Sequence, residues 1–430
     1  MNFVRRGSSG SAVGETERGN AASCERYWSG VVKREGLVFG RARVVSDLED
    51  LYVRRLRLPG GLERVRAIRD ALADPDAVIV EIAHDGQLPH LGVVRMVLKA
   101  QSIAAASQRG LAVYLIGDHY SADMRPRNLY LGLPLRGVDA DRVKTPFTVP
   151  VGKHRRHVPF RWLPPPSVPA LDALERRAEA WLGHNASYSR RPSALSDIKA
   201  RLHEQFDVLR ESATCTTSFG DWLIRVQILW LDALFDGPPE RLAVLPMTGI
   251  SGWVPEVLGS LAAAGPANGS QTPVDAAATE EGGLGDFWIY CRTCFRRFHA
   301  LWLIDRFVGA CTSCDAPLEA RWPEDAAWVM PDIVAYEIAL FRTGISGWVV
   351  GSRAGYLEAI RRGYRARFGL DMPPTFLLES VPRFRGLGEP AEGHTRPRLF
   401  RVLLEVDPTA IRDALEVPWS ADPVLQSPFL

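Results

Sequence analysis

The stretch AVIVEIAHDGQLPHLG, Ala77 to Gly92, is followed after a helix-length interval by LAVYLIGDHY, Leu111 to Tyr120. Val78, Ile79, Val80 and Ile82 crowd the first run and LAVYLIG fills the second, so both read as strands buried on two faces. From Val93 to Arg109 apolar residues recur at helical spacing (Val94, Val97, Leu98, Ile103, Ala104), and Gly110 ends that helix. Strand, loop, helix, strand is a βαβ unit, which predicts a parallel sheet. Ligands of such sheets bind beyond the carboxyl ends of the strands. The residues expected at that edge are His84, Asp85, Gln87, His90, Gly92, Asp118, His119 and Asp123.

The loop chemistry suits a nucleotide. Gly92 would let the backbone approach a ligand, and N–H groups of the following helix can meet a phosphate. An imidazole at His90 can donate to a phosphate oxygen without a permanent charge. The plainer alternative makes His90 a helix-entry residue and Asp118 a cap on the next element.

At about 150 residues per domain, the 430 residues predict two or three domains. With 46% apolar and 24% charged residues the chain can bury a substantial core, and a net charge of +2 decides neither for nor against nucleic acid. No apolar run reaches the roughly 18 residues that a membrane span needs. The start of the chain has Arg5 and Arg6 but no apolar segment after them, so it reads as a flexible tail rather than a signal peptide. Six cysteines, two pairs in CxxC and two single (Cys24, Cys215), indicate metal binding in a reducing compartment, hence a cytoplasmic protein.

The chain divides into a disordered tail (1–25), the first half of an α/β core (26–150), a basic linker with a helical insertion (151–240), a further core strand with a mobile loop (241–285), a metal ribbon (286–320), the second half of the core (321–385) and a C-terminal extension (386–430). GLVFGRARVV, in the first of these core segments, reads as short strands, and a helix is expected near Leu62 to Leu72. GKHRRHVPFRW, Gly152 to Trp162, mixes basic and aromatic residues that could contact a phosphate backbone and bases, but a solvated hairpin is favoured. Helices are expected at Ala170 to Leu182, Ser193 to Glu211 and Ser218 to Phe235. The heptapeptide TGISGWV occurs at Thr248 to Val254 and again at Thr343 to Val349. Both copies are expected to be strand-to-loop crossings, the second backed by Gly351 and a helix from Tyr356.

Cys291, Cys294, Cys311 and Cys314 form C-x2-C-x16-C-x2-C, the spacing of a tetrahedral zinc site. Four thiolates leave no open position, so the expected zinc is structural.

Strand, PHLG, long helix, strand and acidic loop resemble the first half of a class I aminoacyl-tRNA synthetase catalytic domain. In that family the loop reads HxGH and its histidines contact ATP. His90-Leu91-Gly92-Val93 keeps the first His and the Gly, with Val93 in place of the last His, and no KMSKS-like loop is present. The chain looks closer to the bacillithiol-forming cysteine ligases and their relatives, a class I-derived family. The resemblance is carried by Gly86-Gln87-Leu88-Pro89-His90, by Gly117-Asp118-His119 and by Gly344 to Pro382. It implies a Rossmann-like (HUP, class I synthetase-like) parallel sheet with a helical insertion and an inserted zinc ribbon. It also implies an ATP-using or nucleotide-binding ligase that joins an amino acid to a small amine or amino sugar. His90, Asp118 and His119 would be catalytic, and Gly86, Gln87, Gly92, Gly347, Gly351 and Tyr356 would line the nucleotide site. The rival expectation is a binding protein that kept the fold and lost the chemistry, contacting RNA through Arg155, Arg156 and Arg161. Small-molecule substrates are expected as partners, with no membrane and nucleic acid less favoured.

Overall fold

The computed structural model describes residues 36–340, apart from internal stretches that are chiefly 86–96, 132–144, 186–194 and 256–286, together with residues 348–349. Three strands, two of them without a charged side chain, form its centre. They are β1 (Ile79–Asp85), β2 (Leu111–Gly117) and β5 (Leu242–Pro246). β2 and β5 are buried at every position, as parallel strands covered on both faces must be. All pairs are parallel, with Ile79 opposite Leu111 and Asp85 opposite Gly117. Ile116 of β2 is paired with Pro246. A two-residue strand, β11 (Trp348–Val349), pairs with Val80 and Glu81 on the far side of β1. The sheet order is therefore β11-β1-β2-β5, with all four strands ending toward one edge.

The connection from β1 to β2 is helical at Val97, Ala100, Gln101 and Ala104, three of which are fully buried. Gly110 closes it against Ala104, where a Cβ would come within 1.9 Å of the Ala104 carbonyl oxygen. Only glycine fits there.

Ahead of the sheet, the GLVFGRARVV stretch is helical rather than extended: α1 runs Gly36–Glu49 and continues as a π-helical turn, Asp50–Arg55. The buried positions are Arg41, Val44, Leu48, Leu51 and Tyr52, a helical stripe. Burying one leucine is worth about 1.5–3 kcal/mol, whereas β preferences differ by only about 1 kcal/mol, so the stripe outweighs the Val and Phe content. α2 (Gly61–Ala73) packs beside it. Tyr52 reaches the sheet, where its hydroxyl donates to the Val244 carbonyl at 3.1 Å and accepts from the Val244 N–H at 2.8 Å.

Between β2 and β5 lie a hairpin, β3 (Asn128–Leu131) with β4 (Thr145–Thr148), and three helices. These are α3 (Val168–Asn185), α4 (Leu195–Cys215) and α5 (Phe219–Leu234), packed about a second core that includes Phe160, Leu174, Phe206, Phe219 and Trp222. α5 touches both cores, and its Gln227 meets the Tyr114 hydroxyl of β2 at 2.9 Å. β5 runs straight into a five-residue helix, α6 (Met247–Ser251), so the first TGISGWV copy begins helical. Ala335, Tyr336, Ala339 and Leu340, ahead of the second copy, are helical as well, and the strand is the Trp-Val that ends that copy. The strand-to-loop crossing expected of each copy is thus a strand followed by a helix at the first, while the described residues of the second, Trp348 and Val349, are a strand.

A separate antiparallel sheet carries the cysteines: β6 (Phe287–Tyr290), β7 (Arg297–Leu303), β8 (Arg306–Ala310), β9 (Pro317–Arg321) and β10 (Val329–Pro331), in the order β10-β6-β7-β8-β9. Phe287, Ile289, Phe307 and Leu318 join the core of the parallel sheet. No helix of the described residues is long and apolar enough to cross a membrane.

Candidate functional site

The parallel register brings the ends of β2 and β5 to one level, and the turns that leave them meet. At Gly117 a Cβ would fall 2.6 Å from the Tyr120 ring, so the turn after β2 can be this tight only with glycine. Asp118, 2% exposed, follows at once. Its carboxylate accepts the Thr248 backbone N–H at 3.0 Å and the Thr248 hydroxyl. Burial raises the Asp118 pKa, against the pull of Thr248, Arg161 and Arg55 toward the charged form. Asp118 thereby fastens the end of β2 to the first turn of α6, and both of its oxygens are occupied.

His119 is also buried, with its ring 4.2 Å from that of Tyr120. Its carbonyl accepts the Tyr290 hydroxyl at 2.9 Å. Burial, with Arg297 and Arg161 nearby, lowers the imidazole to about 3, so it is neutral at physiological pH. Among the described residues its Nδ1 has no hydrogen-bond partner. Asp118 and His119 are therefore brought to the sheet edge expected for them. His90, Gly86, Gln87, Gly92, Gly347, Gly351 and Tyr356 lie outside the described residues, as do the expected tail, mobile loop and C-terminal extension.

The basic run is not a solvated hairpin. Val158, Pro159 and Phe160 are buried, and Phe160–Trp162 form one 3-10 turn whose chain is bonded to the Asp118 loop: the Phe160 N–H to the Tyr120 carbonyl at 2.9 Å, the Arg161 N–H to that of Asp118 at 3.3 Å. Proline and alternating apolar side chains fold the run inward and leave Arg155 and Arg156 exposed. The Arg161 guanidinium lies 4.6 Å from the Trp162 ring and 5.4 Å from that of Tyr290, and donates to the Ala327 carbonyl. Arg297, at the start of β7, lies 4.8 Å from the Trp288 ring and 5.6 Å from Tyr120. Arg297 was invisible in the sequence, because only the docking of the second sheet brings it to this edge.

The four cysteine sulfurs lie within 4.8 Å of one another, which places them close enough to hold a metal ion such as zinc. Three of the separations are 3.5 Å (Cys291 to Cys314), 3.6 Å (Cys294 to Cys311) and 3.3 Å (Cys311 to Cys314). Zinc–sulfur bonds of about 2.3 Å in a tetrahedron put the sulfurs about 3.8 Å apart, so the donor set fits. The backbone repeats itself at both turns. The Cys291 N–H binds the Arg296 carbonyl at 2.8 Å and the Cys311 N–H binds that of Ala316 at 3.0 Å. Each second cysteine is followed by a residue with positive φ, Phe295 at 61° and Asp315 at 54°. Burial opposes ionisation of Cys291, but the N–H groups of Cys294 and Thr293 and the neighbouring thiols outweigh it and lower that thiol to about 6. Burial and the thiol contacts raise the Cys294 thiol, and the thiol contacts push that of Cys314 up to about 12, so without a metal the set favours one thiolate, at Cys291, held by its protonated neighbours. No protein-family model matches this chain, and no curated protein is similar enough to be matched to it.

Proposed function

We propose that the chain is a Rossmann-like ligase of the class I synthetase type, related to the bacillithiol-forming cysteine ligases, which uses ATP to join an amino acid to a small amine or amino sugar. The observation that carries this reading is the strand order. Connections run from β1 to β2 to β5 in one direction, and β11 then lies on the opposite side of β1. The reversal makes the carboxyl end of β1 a switch point, where nucleotides bind in such sheets. GQLPHLG follows that end directly. In this reading His90 and Gly92 hold a nucleotide phosphate, and Asp118 shapes the wall through Thr248 while His119 faces the ligand. The four cysteines hold a structural zinc ion that fixes the ribbon and leaves no coordination position for chemistry.

A second reading is a nucleotide-binding protein without turnover. It draws on Asp118, which is buried and whose two oxygens each already accept a hydrogen bond from Thr248, a structural tie rather than an open substrate contact. The RNA contact within that reading loses Arg161, held between Trp162, Tyr290 and Ala327, and keeps the exposed Arg155 and Arg156. Calorimetry with ATP and AMP, followed by release of AMP or ADP in the presence of amino acids and amines, separates the two. Binding with nucleotide cleavage supports the ligase, and binding without it supports the second reading. Absence of any nucleotide binding to folded protein sinks both. Loss of one charge-assisted contact at His90 should cost about 1.5–3 kcal/mol, ten- to a hundredfold in affinity, so His90→Ala is the variant to compare.

A further inference from the structure

We infer that His119, Arg161 and Arg297 form an anion pocket at the carboxyl edge of the parallel sheet, and that it takes the phosphate group of a small ligand. Three separate elements deliver these residues: the end of β2, the 3-10 turn of the basic run, and the first residue of β7. Among the described residues no carboxylate pairs with the half-buried Arg297, whose guanidinium meets only the Trp288 and Tyr120 rings. Arg161 gives one terminal nitrogen to Ala327, and its buried Nε has no partner. The Nδ1 of His119, a residue only 7% exposed, has none either. Among the described residues the carboxylate whose charge acts on Arg161 is Asp118, and both of its oxygens already accept hydrogen bonds from Thr248. A buried imidazole nitrogen and a buried guanidinium Nε without partners, beside a second guanidinium that no described carboxylate meets, are costly unless a ligand completes them.

The class of anion follows from charge and shape. A carboxylate brings one charge and two coplanar oxygens. A phosphate brings up to two charges and oxygens in several directions, which suits donors supplied by three different elements. The neutral imidazole can donate one N–H without adding charge. The inference rests on the ligase reading in one respect, that a nucleotide would supply the phosphate. The pocket itself would serve any small phosphorylated molecule.

The test uses the full chain with inorganic phosphate, pyrophosphate, adenosine and glycine as separate calorimetric probes. Pyrophosphate should bind, and Arg297→Gln should weaken it about ten- to a hundredfold while Arg297→Lys retains part of the affinity. On the unmutated chain, pyrophosphate but not glycine should protect Arg297 from an arginine-selective dicarbonyl reagent, read by peptide mass, so the result does not depend on the variants folding. Equal pyrophosphate affinity in Arg297→Gln, or protection by glycine alone, overturns the pocket. Pyrophosphate bound through Arg297 without adenosine binding or ATP turnover keeps the pocket and removes the nucleotide reading. ATP bound equally by Arg297→Gln does the reverse.

Discussion

At the scale of single residues, His119 makes acid stability a measurable property of this edge. Its folded pKa of about 3 lies below the ordinary value near 6.5. The unfolded chain therefore binds a proton first as pH falls, so the contribution of His119 is intact above about pH 6.5 and is lost progressively below it. His119→Asn should flatten the fall in melting temperature between pH 6.5 and pH 4 relative to the unmutated chain. Parallel melting curves would show that the argument misplaces the imidazole. The two positive-φ residues of the cysteine turns invite a paired comparison. A left-handed backbone costs a non-glycine residue about 1–2 kcal/mol, somewhat less for Asp. Asp315 is exposed, so Asp315→Gly should stabilise the ribbon by up to about 1 kcal/mol. Phe295 uses its φ of 61° to place its ring near Trp162 and Trp328, at 6.1 and 6.2 Å, so Phe295→Gly should destabilise it despite the relief. Thermal denaturation of both variants, each with its metal content measured, checks the contrast.

At the scale of elements, the two cysteine turns of the ribbon face each other through the four sulfurs and an Arg296–Ser313 hydrogen bond at 3.1 Å, so a metal held there would tie both turns together. Purified protein should contain one zinc per chain by elemental analysis, and Cys311→Ser should lose it and expose Trp162 and Trp328 to quenching. Protein prepared without chelator and found metal-free would count against the site. The elements also show how far the sequence could be followed. β1, β2, the three insertion helices and the cysteine turns were legible because each carries a long periodicity or a fixed spacing. α1 was not, since Val38, Phe39 and Val44 suggest strands until Leu48, Leu51 and Tyr52 are counted into the same stripe as Val44. The two TGISGWV copies mark the limit of local reading. Val254 is helical and Val349 is in a strand, although the seven residues are identical. What differs is the neighbour: Asp118 receives Thr248 in the first copy, and β1 receives Trp348 and Val349 in the second. At the site the sequence supplied Asp118 and His119, while Arg297 and Tyr290 came only with the packing of one sheet on another.

At the scale of the whole molecule, Trp162 is a side chain that packs against both hydrophobic cores. Its ring lies 5.3 Å from Tyr290 and 4.6 Å from Trp328 in the ribbon, and it sits at the mouth of the helical insertion. Trp162→Ala should cost about 3 kcal/mol and speed hydrogen exchange in β6 and β10 with the metal still bound. Unchanged exchange there would mean the ribbon is held by other contacts. A different consequence follows from Tyr52 at the flank of β5, the outer strand of its sheet among the described residues. Outer strands present unpaired backbone groups that can recruit a second chain, and this is how many folded proteins begin to aggregate. Here a single phenol, with its own pKa raised by burial to about 12, satisfies the amide and carbonyl of Val244 as a neighbouring strand would. Tyr52→Phe keeps the ring and removes that plug, at a cost of about 1–3 kcal/mol. Light scattering on warming should then show association at lower temperature than for the unmutated chain, which makes one hydroxyl a guard of the protein's solubility.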